Sequence, residues 1–277
     1  CMIFARSAAM AFNRWLDAKY DAQNPRTAVR EIPAGIITPK NALLFVIINS
    51  VLFIGATFFI NPLCFYLSPV ALFVVLFYSY TKRFTHLSHF FLGLGLSLAP
   101  VGAYLAVTGK FHEIPILLGL SVLFWVGGFD IIYALQDEEF DRTQKLFSVP
   151  VWLGKKNALQ LSSFVHVLCI GCLATIAIIG GFHIWYWVGL VIFISLLIYQ
   201  HTLVKPNDLS RVNLAFGTMN GIASVVFCVF VCFCVMCLCL YVCVFVGCFR
   251  CDTPLSFRRV GPLIFLRFCF LVFLFIF

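Results

Sequence analysis

Asn13, Asp17 and Asp21 stand four residues apart in "NRWLDAKYDAQNPRT", and Tyr133, Asp137 and Asp141 repeat the spacing in "DIIYALQDEEFD". On a helix such positions line one face, so each stretch is expected to present two carboxylates about 6 Å apart at Cβ. Like charges at that spacing weaken a helix by a few tenths of a kcal/mol, and a carboxylate near a membrane costs more unless a cation compensates it. Two facing pairs offer four hard oxygen donors, a set that suits a Mg²⁺ ion that keeps several waters and bridges to phosphate. That chemistry points to a diphosphate substrate.

Basic residues nearby fit the same picture. Arg26 and Arg30 follow the first stretch, Lys82 and Arg83 sit in "YSYTKRFT", and Arg142 follows the second stretch. Arginine forks bind phosphate oxygens bidentately and lysine supplies a point charge, so Arg26, Lys82, Arg83 and Arg142 are candidates to hold a diphosphate leaving group. Glu138 and Glu139 fall off the Asp137/Asp141 face and are expected to be solvated. His86 and His89 are read as loop residues on the cytoplasmic side rather than metal ligands, and Asn213 and Asn220 as helical positions near a cavity.

The elements that position these groups are membrane helices. The chain is 62% hydrophobic and 11% charged with a mean hydropathy of +1.04, which no water-soluble domain matches. Residues 41–60 carry no charge and are long enough to cross roughly 30 Å of hydrocarbon. Similar runs cover about 63–80, 90–109, 114–132, 158–181, 183–204 and 213 onward. Their length selects helices over barrel strands, and the fold class is an all-α, multi-pass transmembrane bundle. If the runs alternate across the bilayer, one side holds most of the loop Lys and Arg and the other holds only Lys110. The positive-inside rule makes the rich side cytoplasmic, and both acidic stretches fall there. The net charge of +8 is therefore a matter of topology, and no nucleic-acid partner is expected.

Two features concern the ends. Residues 1–12 read as the tail of an apolar helix whose beginning is missing, rather than as a signal peptide. Of thirteen Cys, nine follow Phe227, without the paired knuckles of a zinc site. Residues 1–227 are thus expected to form the functional membrane domain, and 228–277 a low-complexity tail of non-native origin.

The two acidic stretches resemble the motifs of the UbiA superfamily of intramembrane aromatic prenyltransferases. "NRWLDAKYDAQNPRT" is similar to the form N-x-x-x-D-x-x-x-D, and "DIIYALQDEEFD" to D-x-x-Y-x-x-x-D-x-x-x-D; the "YSYTKR" segment and the following "SVP" match as well. The resemblance covers residues 1–227 and lacks the first of nine helices. It implies that Asp17, Asp21, Asp137 and Asp141 bind Mg²⁺ around an isoprenyl diphosphate with Asn13 assisting, while Lys82, Arg83, Arg26 and Arg142 draw charge onto the leaving group. Tyr133 and Asp130 would then face the allylic cation or the acceptor, with cation–π stabilisation from Tyr133 of roughly 0.5 to 2 kcal/mol.

The implied reaction joins a polyprenyl group to an electron-rich aromatic acid, 4-hydroxybenzoate as in ubiquinone synthesis or a naphthoate as in menaquinone synthesis. The resemblance also implies a bacterial inner-membrane protein with no obligatory protein partner. A transporter with an acidic cation site is the reading from another class. It predicts acids along a path through the bilayer, whereas here they gather at one face beside arginines.

Overall fold

The computed structural model describes the backbone of residues 1–246 and the side chains of residues 1–233. Within them the chain forms α1 (Met2–Asp21), α2 (Pro39–Phe58), α3 (Pro62–Thr81), α4 (Ser88–Thr108), α5 (Glu113–Ala134), α6 (Glu138–Thr143), α7 (Val149–Gly180), α8 (Ile184–Leu203) and α9 (Asn220–Val246). Every apolar run named above falls on one of these helices. Local chemistry explains the boundaries. Thr38 and Asn61 cap α2 and α3 by accepting the backbone N–H of Asn41 (3.3 Å) and Cys64 (2.8 Å), each with proline as first helical residue. Gly109 and Gly181 end α4 and α7 in the left-handed conformation.

Seven helical segments among the described residues are long and apolar enough to cross a membrane, and the protein is an integral, multi-pass membrane protein. α1 is not among the seven; it packs on α2 and α3. α9 runs through the boundary expected at residue 227 without a break, and most of the expected tail lies outside the described residues.

α5 forms the centre, packed between α4 and α7. Trp125, Val126 and Phe129 are buried against Cys169, Leu173 and Ile176 of α7, Tyr186, Leu190 and Phe193 of α8, and Phe227 of α9. The α4–α5 crossing is close because Gly93 has no side chain: a Cβ there would lie 2.5 Å from the carbonyl oxygen of Leu123. Gly93→Ala should therefore destabilise the bundle by about 1–3 kcal/mol, read as a lower Tm in detergent, while Gly55→Ala, with nothing within 4 Å, should not.

At one end the termini of α1, α3 and α5 meet the beginnings of α4 and α7. A second cluster, with Ile131, Ile132, Leu135, Val149, Leu203, Val204 and Val212, forms the floor there. Gly154 (φ 75°, ψ 164°) bends α7, a conformation open only to glycine, and so sets its first turn apart from the membrane-crossing remainder.

Candidate active site

The first acidic stretch is helical to its end, as its spacing predicts. Asn13 Nδ2 donates to Asp17 (3.3 Å), and Arg83 reaches down from the end of α3 to lie 3.6 Å from Asp17 while donating to the carbonyl of Leu16 (2.9 Å). Asp21, on the last turn of α1, is clasped on both oxygens by Arg30 (2.9 and 2.8 Å). Burial pushes the Asp17 carboxyl above the usual carboxylate range, and neighbouring Asp21 adds to this, against the opposing charges of Lys82 and Arg83.

The second stretch corrects the expectation of a continuous helical face. α5 ends at Ala134, Leu135–Asp137 tighten into a 3₁₀ turn, and α6 restarts at Glu138. The change of winding turns Asp137 outward, where it meets Arg26 Nε (3.3 Å), Arg26 Nη2 (2.5 Å) and Asn24 Nδ2 (3.5 Å). Asp141 stays buried. Arg26 also donates to the Tyr133 hydroxyl (2.5 Å), with its guanidinium 5.2 Å from the Tyr133 ring centre.

Lys82 links the two stretches. It caps the end of α3, and its carbonyl accepts the N–H of Phe147, tying the loop after α6 to the α3 terminus (2.8 Å). Burial disfavours its ammonium, yet the charges of Asp141, Asp130, Asp17 and Asp137 prevail and raise its pKa above the ordinary lysine value. Asn13, Tyr78, Ser79, Lys82, Ser88, Leu92 and Asp130 line a half-open chamber of ≈170 Å³. Ser79 and Ser88 bring two hydroxyl-bearing residues to the lining of this chamber.

Asn13, Lys82 and Asp130 thus line one chamber; Asp17, Asp137 and Asp141 also act on the Lys82 charge, Arg83 lies against Asp17, Arg30 holds Asp21, and Arg26 joins Asp137 to Tyr133. Arg142 is not brought in; it is largely exposed and bonded to Glu138 (2.6 Å). Glu138 is a correction too, since its side chain is only 12% exposed and faces Arg142 and Lys155. Asn213 accepts from Gln136 (3.3 Å), and Asn220 is buried and bonded to the carbonyl of Phe216 (2.8 Å).

His89 also departs from expectation. It is 1% exposed and bonded to Asp130 at 2.7 Å. Its place among polar loop residues gave no sign of this contact. The same holds for Arg30, whose partner Asp21 is nine residues away across a turn. Ser79 and Ser88 had no signal of their own.

Chemically, the carboxylates suit a hard divalent cation. Asp17, Asp21 and Asp137 already face arginines and Asp141 faces Lys82, so cationic charge is what this space accommodates. Among the described residues no group of three or more His, Cys, Asp or Glu is close enough to hold a metal ion alone. Two carboxylate pairs are a donor set that would suit Mg²⁺, a hard cation that prefers oxygen.

Comparison with known proteins identifies the family and the fold. Residues 1–223 match the model of the UbiA prenyltransferase family. A 4-hydroxybenzoate octaprenyltransferase of Tolumonas auensis is 31% identical over 225 residues, covering 80% of this chain and 77% of that protein. The apo structure of a UbiA homolog from Aeropyrum pernix K1 superposes with a TM-score of 0.75 at 28% identity, over 83% of this chain and 86% of the other. A UbiA homolog from Archaeoglobus fulgidus bound to DMAPP and Mg²⁺ shares the fold, with a TM-score of 0.52 at 15% identity over 98% and 84% of the two chains.

Proposed function

Because this chain belongs to the UbiA prenyltransferase family, we propose that it transfers a polyprenyl group from polyprenyl diphosphate to 4-hydroxybenzoate in ubiquinone biosynthesis. The observation that carries this reading is that carboxylates of both acidic motifs act on one lysine, Lys82, while Arg83 pairs with Asp17 and Arg26 with Asp137. Relatives at 31% identity carry the 4-hydroxybenzoate name, which favours that acceptor over a naphthoate. A family of prenyltransferases also displaces the transporter reading.

Asp17, Asp21, Asp137 and Asp141 hold Mg²⁺, with Asn13 orienting Asp17. When bound, the metal supplies Lewis-acid neutralisation of the diphosphate as it departs. Lys82, Arg83 and Arg26 donate to the diphosphate oxygens, so the allylic C–O bond breaks with its electron pair on the leaving group. Arg26 already ties Tyr133 to Asp137, which sets the Tyr133 ring beside the place where the allylic cation develops. Ser79 and Ser88, which line the same chamber as Lys82, suit the acceptor's carboxylate. Asp130 then accepts the hydrogen bond of the acceptor's phenol, enriching the ring carbon beside it. That carbon attacks the allylic cation, a C–C bond forms, and the ring proton is released to restore aromaticity.

The distribution of Lys and Arg supports a site on the cytoplasmic face of a bacterial inner membrane. Membranes carrying the protein, given radiolabelled polyprenyl diphosphate and Mg²⁺, are expected to form a labelled lipid with 4-hydroxybenzoate and not with a dihydroxynaphthoate. EDTA should abolish it. Product with the naphthoate alone would move the protein to the menaquinone branch, and product with neither acceptor in folded protein would defeat the prenyl-transfer reading.

A further inference from the structure

We propose that His89 is the positioning residue of the Asp130 carboxylate, and that it locks this carboxylate to the start of α7. The inference rests on the prenyl-transfer reading and adds a residue that neither acidic motif contains.

Hydrogen-bond accounting fixes the state of the ring. The backbone N–H of Val149 lies 3.3 Å from His89 Nε2, and a backbone N–H can only donate. Nε2 is therefore the bare acceptor nitrogen, and the single proton of the neutral ring sits on Nδ1. From there it donates to Asp130 Oδ2 at 2.7 Å. Turning the ring over would place C–H groups against both partners, so the two contacts hold it in one orientation.

Each partner has a reason to need it. Val149 is the first residue of α7, whose N-cap Ser148 offers no side-chain cap, so its N–H is one of the donors that a helix start leaves unpaired. Asp130 points from α5 into the chamber shared with Lys82, Ser79 and Ser88. Without a fixed donor, its carboxylate would be free to rotate towards the Lys82 ammonium. With Oδ2 held by His89, Oδ1 is left for the acceptor.

Two further bonds secure the same loop. Phe147 N–H donates to the carbonyl of Lys82 (2.8 Å), and His86 Nδ1 donates to the carbonyl of Ser148 (3.2 Å). The segment joining the second acidic motif to α7 is thus pinned from the end of α3 and from the turn that leads into α4. His89 is the contact that reaches on from it to a chamber residue.

The test compares His89→Gln with His89→Leu. Glutamine carries one donor and one acceptor on its terminal group and can serve both partners; leucine fills similar space and serves neither. Membranes carrying each variant are assayed for kcat and KM with both substrates at saturating Mg²⁺. Equilibrium binding of an unreactive prenyl diphosphate analogue is measured alongside.

His89→Leu is expected to lower kcat roughly 10- to 100-fold, the scale of a misplaced reacting group, with analogue binding unchanged. His89→Gln should stay within a few-fold of wild type. On an Asp130→Asn background, His89→Leu should cost nothing further, because the two residues act as one unit. Equal loss in His89→Gln and His89→Leu, additive loss in the double variant, or loss of analogue binding in parallel with kcat would each overturn the proposal. Should His89→Leu fail to accumulate, His89→Met, which likewise carries no donor for Asp130, takes its place with the same expectation. Absence of transfer in the wild type itself would instead defeat the underlying reading of the reaction.

Discussion

Lys82→Met is expected to lower kcat by about 10² to 10³-fold, the usual effect of removing one donor to a developing oxyanion, while the Mg²⁺ concentration needed for half-maximal rate falls. The two effects have opposite signs because Lys82 has two neighbours of opposite kind. Its ammonium stands among Asp141, Asp130, Asp17 and Asp137, whose combined charge holds it protonated despite burial. Methionine keeps the length and apolar stem and deletes only the charge. The carboxylates then lose their shared counter-cation and attract a divalent ion more strongly. The departing diphosphate, however, loses a donor that no other side chain replaces. Thermal stability without Mg²⁺ should also drop, since like charges would face one another across the chamber, and added Mg²⁺ should recover part of it. Initial rates and melting curves across a Mg²⁺ titration measure all three. A rate near wild type would remove Lys82 from the leaving-group role.

Asp137→Asn should reduce transfer on the order of 10² to 10³-fold and raise the Mg²⁺ requirement. This carboxylate sits where the 3₁₀ turn throws it outward, gripped by Arg26 and Asn24. Asparagine preserves shape and one acceptor oxygen, so packing is kept and the loss reports on charge. Two components are then separable. The missing negative charge weakens Mg²⁺ binding, and Arg26 loses the partner that aims it between Asp137 and Tyr133. Arg26→Gln removes the arginine and its diphosphate contact while leaving the Asp137 charge, and should chiefly raise KM for the prenyl diphosphate. Asp208→Asn is the comparison: Asp208 lies in the loop after α8, bonded to Ser210 and absent from the chamber's lining, and its substitution should leave the rate unchanged. An Asp137→Asn enzyme with an unaltered Mg²⁺ titration would remove Asp137 from the metal set.

Much of this architecture is legible in the amino-acid sequence. Apolar run length locates every crossing helix, since a bilayer demands both a minimum length and internally satisfied backbone. The four-residue spacing places Asn13, Asp17 and Asp21 on one helical face, and α1 continues through Asp21. Charge asymmetry puts both acidic motifs at one end of the bundle. These are local or additive properties, which a linear sequence carries in full.

Where the spacing misleads, the physical cause is shared. The second ladder follows the same spacing, but the chain tightens into a 3₁₀ turn at Leu135–Asp137 where α5 and α6 both pack on α7, and helical periodicity fails there. Glu138 reads as solvated because its helical face points away from Asp137, yet Lys155 of α7 comes to within 3.7 Å. Arg142 matches the pattern of a phosphate ligand and turns instead to Glu138 in its own helix. His89 finds Asp130 across 41 residues and Val149 across 60. Membrane class, the helices and the acids' shared end are thus readable along the linear chain. Which cation meets which carboxylate is settled by the fold, because a side chain's partner across tens of residues depends on how helices cross, and periodicity along one helix carries no information about the next.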